Sequence, residues 1–329
     1  MPKTVLLTGS AGFIGSHTAQ HFLENTDWTV IGLDSFRHKG DSLRVTDLNY
    51  DWSRFRTYNC DLAAPISDRL AKQIGPVDHI INMASESHVD RSIEEPVPFV
   101  QNNVNLTLYM LEYARAVQPE SFVQISTDEV YGPAPIGTSF KEWSDILPSN
   151  PYSASKAAQE AIAISYWRTY GVPLIITNTV NNFGERQDSE KFVPLVIGKI
   201  LRGEKIQIHE TNGVGSRNYV HARNHADALL YMLTELTPAM YPDAMYPDRY
   251  NITGHQELTN LEMAQLIAEI LDMKLDYEIA EVHTSRPGHD PRYDLDGALL
   301  ASLGWSAPVP LRESLERTVR WTQEYSEWS

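Results

Sequence analysis

Thr8-Gly9-Ser10-Ala11-Gly12-Phe13-Ile14-Gly15 sets glycines at 9, 12 and 15 between an apolar run, Thr4 to Thr8, and a helix-patterned stretch, Phe13 to Glu24. In α/β folds such a turn lets a strand pass sharply into a helix whose N-terminus faces a dinucleotide. One glycine permits the turn, one lets the backbone approach a pyrophosphate, and one allows the helix to pack closely on the strand. The first-turn N–H groups lack partners inside the helix and carry the positive end of its dipole, which suits phosphate. The triplet alone is a weak signal; its place between strand and helix makes it informative.

Working outward, Thr29 to Asp34 reads as the next strand. Asp34 follows the glycines by about twenty residues, where a carboxylate binds adenosine ribose hydroxyls and repels a 2′-phosphate. NAD is therefore favoured over NADP, with Arg37 and Lys39 the nearby residues that pull the other way. Phe55 to Cys60 is a further strand, and Asp61 after it reads either as an adenine contact or as a plain loop aspartate. Val77 to Met83, Phe122 to Ser126 and Leu174 to Thr179 continue the series of short apolar strands. Helical stretches at Pro98 to Val117 and Ser153 to Tyr170 alternate with them. Short buried strands alternating with helices predict an α/β fold, a Rossmann-type doubly wound parallel sheet covered on both faces.

Past about Asn181 the rhythm loosens, with strands such as Lys205 to His209 among helices such as Asn260 to Leu271. The expected division is a Rossmann domain over 1–180, with 218–252 returning to it, and a smaller mixed α/β part over 181–329 that binds substrate. The proline-broken duplication Tyr241-Pro242-Asp243-Ala244-Met245-Tyr246-Pro247-Asp248 reads as a surface loop.

The chain is 329 residues with a formal net charge of -16, which argues against nucleic acid or an anionic membrane as partner. Hydrophobic residues at 42% and charged residues at 21% fit an ordinary globular protein, and no segment approaches the length of a membrane span. Cys60 is the lone cysteine, so neither an intramolecular disulfide nor a thiolate metal cluster can form. A reducing cytoplasm suits it. The eleven histidines are dispersed, and no metal site is expected.

Tyr152 and Lys156 stand four apart in Tyr152-Ser153-Ala154-Ser155-Lys156, hence on one helix face. A free phenol has a pKa of about 10, so a base near neutrality needs a cation beside it. The pair is common by chance. Ser126-Thr127-Asp128-Glu129-Val130-Tyr131-Gly132, at the end of a buried strand, gives it weight. Ligands of open α/β sheets sit at the carboxyl ends of strands, and two adjacent acids there are hard to explain structurally.

Together these residues make the chain similar to the extended short-chain dehydrogenase/reductase family. Within that family it resembles the nucleotide-hexose 4,6-dehydratases, dTDP-glucose foremost among their substrates. The resemblance also rests on Ala84-Ser85-Glu86-Ser87-His88-Val89-Asp90-Arg91-Ser92-Ile93, Asn150-Pro151-Tyr152, Glu190-Lys191-Phe192-Val193-Pro194-Leu195, Tyr250-Asn251-Ile252-Thr253-Gly254-His255 and Arg286-Pro287-Gly288-His289-Asp290.

The resemblance implies NAD held by Gly9, Gly12, Phe13, Ile14, Gly15, Asp34, Asp61, Leu62, Ala84, Ser85, Asn103, Tyr152 and Lys156. It implies a nucleotide sugar held by Ser87, His88, Asn182, Lys191, Phe192, Arg217, Asn251, His289 and Tyr293. Tyr152 would take the C4 hydroxyl proton, Lys156 would lower the phenol pKa and hold the nicotinamide ribose, and Thr127 would bond the C4 oxygen. Glu129 would remove the C5 proton and Asp128, protonated, would donate to the departing C6 hydroxyl. A homodimer packed through the Pro98 and Ser153 helices is implied too. Their apolar residues on more than one face, Leu106, Leu108, Met110 and Leu111, fit either that interface or burial inside one subunit.

Two runs depart from the family pattern: Gly184-Glu185-Arg186-Gln187-Asp188, and Ile208-His209-Glu210-Thr211-Asn212-Gly213, where an aromatic contact to the base is expected. They leave 4,6-dehydration standing and make UDP- or another NDP-hexose an alternative substrate. Outside the dehydratases, the rivals are an NDP-sugar 4-epimerase and a non-catalytic NAD-binding sensor; neither needs Asp128 and Glu129 as a pair.

Overall fold

The computed structural model describes residues 2–37, 40–46, 50–210, 215–281, 290–325 and 328. Seven parallel strands build the large sheet: β1 (Thr4–Thr8), β2 (Thr29–Asp34), β3 (Phe55–Asn59), β4 (His79–Asn82), β5 (Ser121–Thr127), β6 (Leu174–Thr179) and a late arrival, β10 (Asp248–Ile252). Three short strands lie between β6 and β10 in the chain: β7 (Asn181–Phe183), β8 (Ile206–Glu210) and β9 (Ser216–His221). The order across the large sheet is β3-β2-β1-β4-β5-β6-β10. Strand order reverses between β1 and β4, so the crevice at their carboxyl ends is the place where such a sheet takes a ligand.

Alternation within strands explains why the sheet is covered twice. Val5, Leu7, Val30, Ile81, Val123 and Ile175 point into one core, shared with the helices Phe13–Asn25 and Ala222–Glu235. Leu6, Ile31, Ile80, Phe122, Leu174 and Ile176 point into the other, against the helices Asp68–Ile74, Pro96–Val117 and Pro151–Tyr170. Successive strand residues face opposite ways, so a strand buried on both sides must be apolar throughout. Leu106, Met110 and Leu111 belong to this second core, whereas Leu108 is half-buried at its edge.

The remaining strands, β11 (Glu257–Thr259), β12 (Tyr277–Glu281) and β13 (Arg292–Tyr293), complete two small sheets. β9 pairs with β7, β11 and β13, and β8 pairs with β12. Helices Phe192–Arg202, Asn260–Leu271 and Leu311–Glu324 cover them around a third core of Val196, Ile197, Met263, Ile267 and Leu315. The return to the large sheet runs through the helix Ala222–Glu235 and β10, whereas β9 stays in the smaller part.

Two glycines of the turn are demanded by contact. Gly9 has φ +73°, a left-handed backbone, and a Cβ on Gly15 would stand 2.0 Å from the Gly9 carbonyl oxygen. Gly15→Ala must push the helix off β1, and overpacking of this kind costs about 1–3 kcal/mol. The variant should show a lower thermal midpoint and weakened NAD binding, both measurable by calorimetry.

Candidate functional site

The carboxyl ends of β1, β2, β4, β5 and β6 open on one cleft of about 900 Å³. Its lining runs from Gly9, Gly12, Phe13, Ile14 and Gly15 past Asp34, Asp61 and Leu62 at one end. It continues by Ala84, Ser85, Ser87 and His88 to Thr127, Asp128, Glu129, Tyr152 and Lys156. Asn182, Lys191 and Phe192 of the smaller part close the far side.

At the dinucleotide end, Gly12 caps the helix without any side-chain hydrogen bond, so the first-turn amides stay open to an anion. The Asp34 carboxylate accepts the Ala11 and Phe36 amides, each at 2.9 Å, which fixes it beside the glycine turn. Arg37 donates to Asp61 at 2.7 Å. This pairing offsets the one described cation that could attract a 2′-phosphate there, and so fits NAD.

The reacting end is organised by two local structures. Thr127 caps a 3₁₀ turn, Asp128–Tyr131: its hydroxyl accepts the Glu129 amide at 3.3 Å and donates to Asp128 Oδ1 at 3.0 Å. Asn150 caps the helix Pro151–Tyr170 in a capping box with Ser153, Pro151 opens the first turn, and Gly171 in the left-handed region ends it. Asn150 Nδ2 also reaches Glu129 Oε2 at 3.3 Å, joining the two structures. An Asn-Pro pair before a helical run is a readable cap signal, whereas the contact of the cap with Glu129 depends on the fold.

Electrostatics separates the acids. Burial, reinforced by the charge of Glu129, pushes Asp128 up to about 7. Its Oδ2 is buried without a partner among the described residues, as a proton donor awaiting an acceptor would be. Glu129 is also raised by burial, but Asn150, Arg217 and Lys191 pull it back toward ionisation. Burial and the charges of Glu129 and Asp128 hold the Tyr152 phenol above its ordinary value, opposed by a hydrogen bond to Thr127. Lys156 donates to the Ile125 carbonyl at 2.7 Å, and burial lowers it to about 8. A phenol so placed needs added positive charge beside it to act as a base.

Several expected contacts stand behind the lining. Asn103 clamps the loop after β4, accepting the Glu86 amide at 2.8 Å and donating to the Glu86 carbonyl and to Ser155 Oγ. Asn251 is fully buried and donates to the Phe140 and Asp296 carbonyls. Arg217 holds the Ser216, Pro291 and Asp290 carbonyls and stacks on Tyr293 at 4.7 Å, while its charge still reaches both acids. The Tyr293 hydroxyl donates to Asp290 at 2.9 Å. His289 lies outside the described residues.

His88 caps the helix Val89–Glu94 and faces Glu190 at 3.2 Å. Gln187 and Asp188 line the cleft too, from the run whose sequence departs from the pattern. Asn182 Oδ1 and Gln187 Oε1 are buried acceptors with no partner among the described residues, which suits a hydroxyl-rich ligand. His209 lies at the end of β8, outside the lining. No described group of three or more His, Cys, Asp or Glu could hold a metal ion.

Residues 5–252 match the NAD dependent epimerase/dehydratase family. The dTDP-glucose 4,6-dehydratase of Neisseria gonorrhoeae is 36% identical, across 97% of this chain and 95% of its own. That of Salmonella typhimurium is 35% identical, across 98% and 94%. Among solved structures, the dTDP-glucose 4,6-dehydratase DesIV of Streptomyces venezuelae with NAD bound superposes with a TM-score of 0.85 at 33% identity, covering 99% of this chain and 98% of that one. The UDP-glucose 4-epimerase of Thermus thermophilus with NAD gives 0.84 at 27% identity, over 97% and 99%.

The raised Asp128 has a consequence for stability. An unfolded Asp releases its proton near 3.8, whereas the folded group keeps it to about 7. Between those values the native state holds a proton that the unfolded chain lacks, so stability falls as pH rises and the full cost is present above about pH 7. Asp128→Asn should therefore stabilise the fold by on the order of 2–4 kcal/mol at about pH 8, and by nothing below about pH 4. Denaturation midpoints at the two pH values measure it.

Proposed function

Because the chain belongs to the NAD dependent epimerase/dehydratase family, we propose for the cleft the dehydratase chemistry that its paired acids support. The protein is an NAD-dependent nucleotide-hexose 4,6-dehydratase acting on dTDP-glucose. The observation that carries this reading is Asp128 beside Glu129 at the end of β5: burial pushes Asp128 up to about 7, and Glu129, also raised by burial, faces Asn150, Arg217 and Lys191, which favour its anion. Oxidation and re-reduction at C4, all that a 4-epimerase does, uses neither acid. Loss of water across C5 and C6 uses both.

When bound, NAD supplies a reversible two-electron oxidation, at C4 on entry and in reverse at C6. Gly9, Gly12 and the first-turn amides of Phe13 and Ile14 hold its diphosphate, and Asp34 its adenosine ribose. Tyr152 takes the C4 hydroxyl proton, with the Lys156 ammonium stabilising the phenolate and Thr127 orienting the oxygen. The 4-keto group so formed acidifies the C5 proton, which Glu129 removes as Asp128 protonates the C6 oxygen and water leaves. Glu129 returns its proton to C5 as C6 is reduced. Opposed ionisation states in adjacent carboxyl groups are what a concerted removal and delivery of protons requires.

On this reading 1–180 with 222–252 binds the coenzyme, and the rest of 181–329 binds the nucleotide, with Lys191 and Arg217 providing positive charge. No described helix is long and apolar enough to cross a membrane. A cytoplasmic setting suits a chain with the single cysteine Cys60. The partner is a second copy, packed through the outer faces of helices Pro96–Val117 and Pro151–Tyr170. Half-buried Leu108 and Ile162 lie there beside Ala158 and exposed Ala161, small residues that let helices approach closely.

Incubation with dTDP-glucose and no added reductant should give a product lighter by one water, about 18 Da by mass spectrometry, as acid–base elimination requires. Glu129→Gln should lower turnover about 10²–10⁴-fold, the usual contribution of a general base. Water loss from UDP-glucose alone would reassign the base, and no water loss from any nucleotide-hexose would sink the dehydratase. Ala161→Arg should convert a dimer to a monomer in light scattering.

A further inference from the structure

Beneath the reacting end lies a closed polar ring that none of the steps above uses. Glu160 is one turn beyond Lys156 on the same helix and is fully buried. Its Oε1 accepts Asn178 Nδ2 at 2.8 Å, and its Oε2 accepts Arg249 Nη2 at 2.7 Å. The same Asn178 amide donates to the Thr127 carbonyl at 3.1 Å. Arg249 Nη1 donates to the Glu142 carbonyl at 3.0 Å, and the guanidinium lies 4.3 Å from the Trp143 ring. The Tyr131 hydroxyl, on the turn that holds Asp128 and Glu129, closes the ring on Asn178 and Glu142. The catalytic helix, the end of β5, the 3₁₀ turn, the Glu142–Trp143 segment, β6 and β10 meet here.

We propose that Glu160 is a positioning residue: its carboxylate, one turn along the helix from Lys156, fixes the catalytic helix against Thr127 through Asn178. This rests on the roles given above to Thr127, Tyr152 and Lys156. A carboxylate is chemically apt because it alone can accept from an amide and a guanidinium while presenting a negative charge to an ammonium. Tyr152, Asp128 and Glu129 share the cleft wall with Lys156. Asn103, Gln124 and Gln159 around them are uncharged, and Arg249 stands behind Glu160 on β10. Burial drives Lys156 down, and Glu160 is the charge that opposes it.

The test uses the full-length holoenzyme and two readouts: the pH profile of kcat on dTDP-glucose, and trace acetylation of Lys156 by acetic anhydride across the same pH range, quantified by peptide mass spectrometry. In Glu160→Gln the labelling midpoint and the alkaline limb of kcat should both move down by about one pH unit, the size of effect that loss of a neighbouring opposite charge produces. Glu160→Asp should restore most of both shifts. Glu160→Gln leaves Arg249 as an unpaired buried cation, which can itself unfold a protein. The double variant Glu160→Gln/Arg249→Met removes both charges and should show the same downward shift in a folded chain. A labelling midpoint that stays put in the folded double variant overturns the proposal. Absence of dehydration in the parent protein would instead overturn the function, leaving the labelling to decide on Glu160.

Discussion

Desolvation of the Asp128 carboxyl is the constraint on which the rest of the site depends. Water around an aspartate stabilises its anion; the end of β5 removes that water and places Glu129 alongside. The protein gives up stability near neutral pH to keep a proton there. Thr127 fixes one oxygen of Asp128 and leaves the other unpartnered. Glu129, next in sequence, receives Asn150 and the charges of Arg217 and Lys191. Burial thus raises both acids, while Asn150 and Lys191 favour the anion of Glu129 and Arg217 that of both.

This depends in turn on the sheet. The 3₁₀ turn carries the acids to the cleft because β5 is an inner strand that ends level with β6, pairing with it from Phe122 to Thr127, and runs past the end of β4 at Asn82. The glycine turn after β1 opens at the same edge. Distance along the chain is therefore irrelevant to assembly: residues 9, 127 and 152 meet because parallel strands all discharge at one end. The helix Pro151–Tyr170 is aimed by its cap, and that cap is itself bonded to Glu129. Stability of the helix start and the position of Glu129 are one interaction.

Much of this was legible in the sequence, for a physical reason. Signals confined to a few residues survive without structure: the glycines, Asp34 closing β2, and the alternating apolar strands of a sheet buried on both faces. Thr127, Asp128, Glu129, Tyr152 and Lys156 were readable because their types make little structural sense together. Asn103 and Asn251 show the limit. Composition does not say which backbone groups an asparagine holds, and only the fold brings Glu86 to Asn103 and the Phe140 and Asp296 carbonyls to Asn251. The smaller part was illegible for a related reason. β7, β9, β11 and β13 are two to six residues long, and β9 finds partners at 181, 257 and 292, so no local window contains the sheet.

Arg217 illustrates how the two halves are coupled. It sits on β9 of the smaller part and spends donors on the Ser216, Pro291 and Asp290 carbonyls, which fixes β13 beside it. Its charge nonetheless favours the ionised form of both Asp128 and Glu129 across the cleft. Groups on different parts of the fold are in this way linked electrostatically across the cleft.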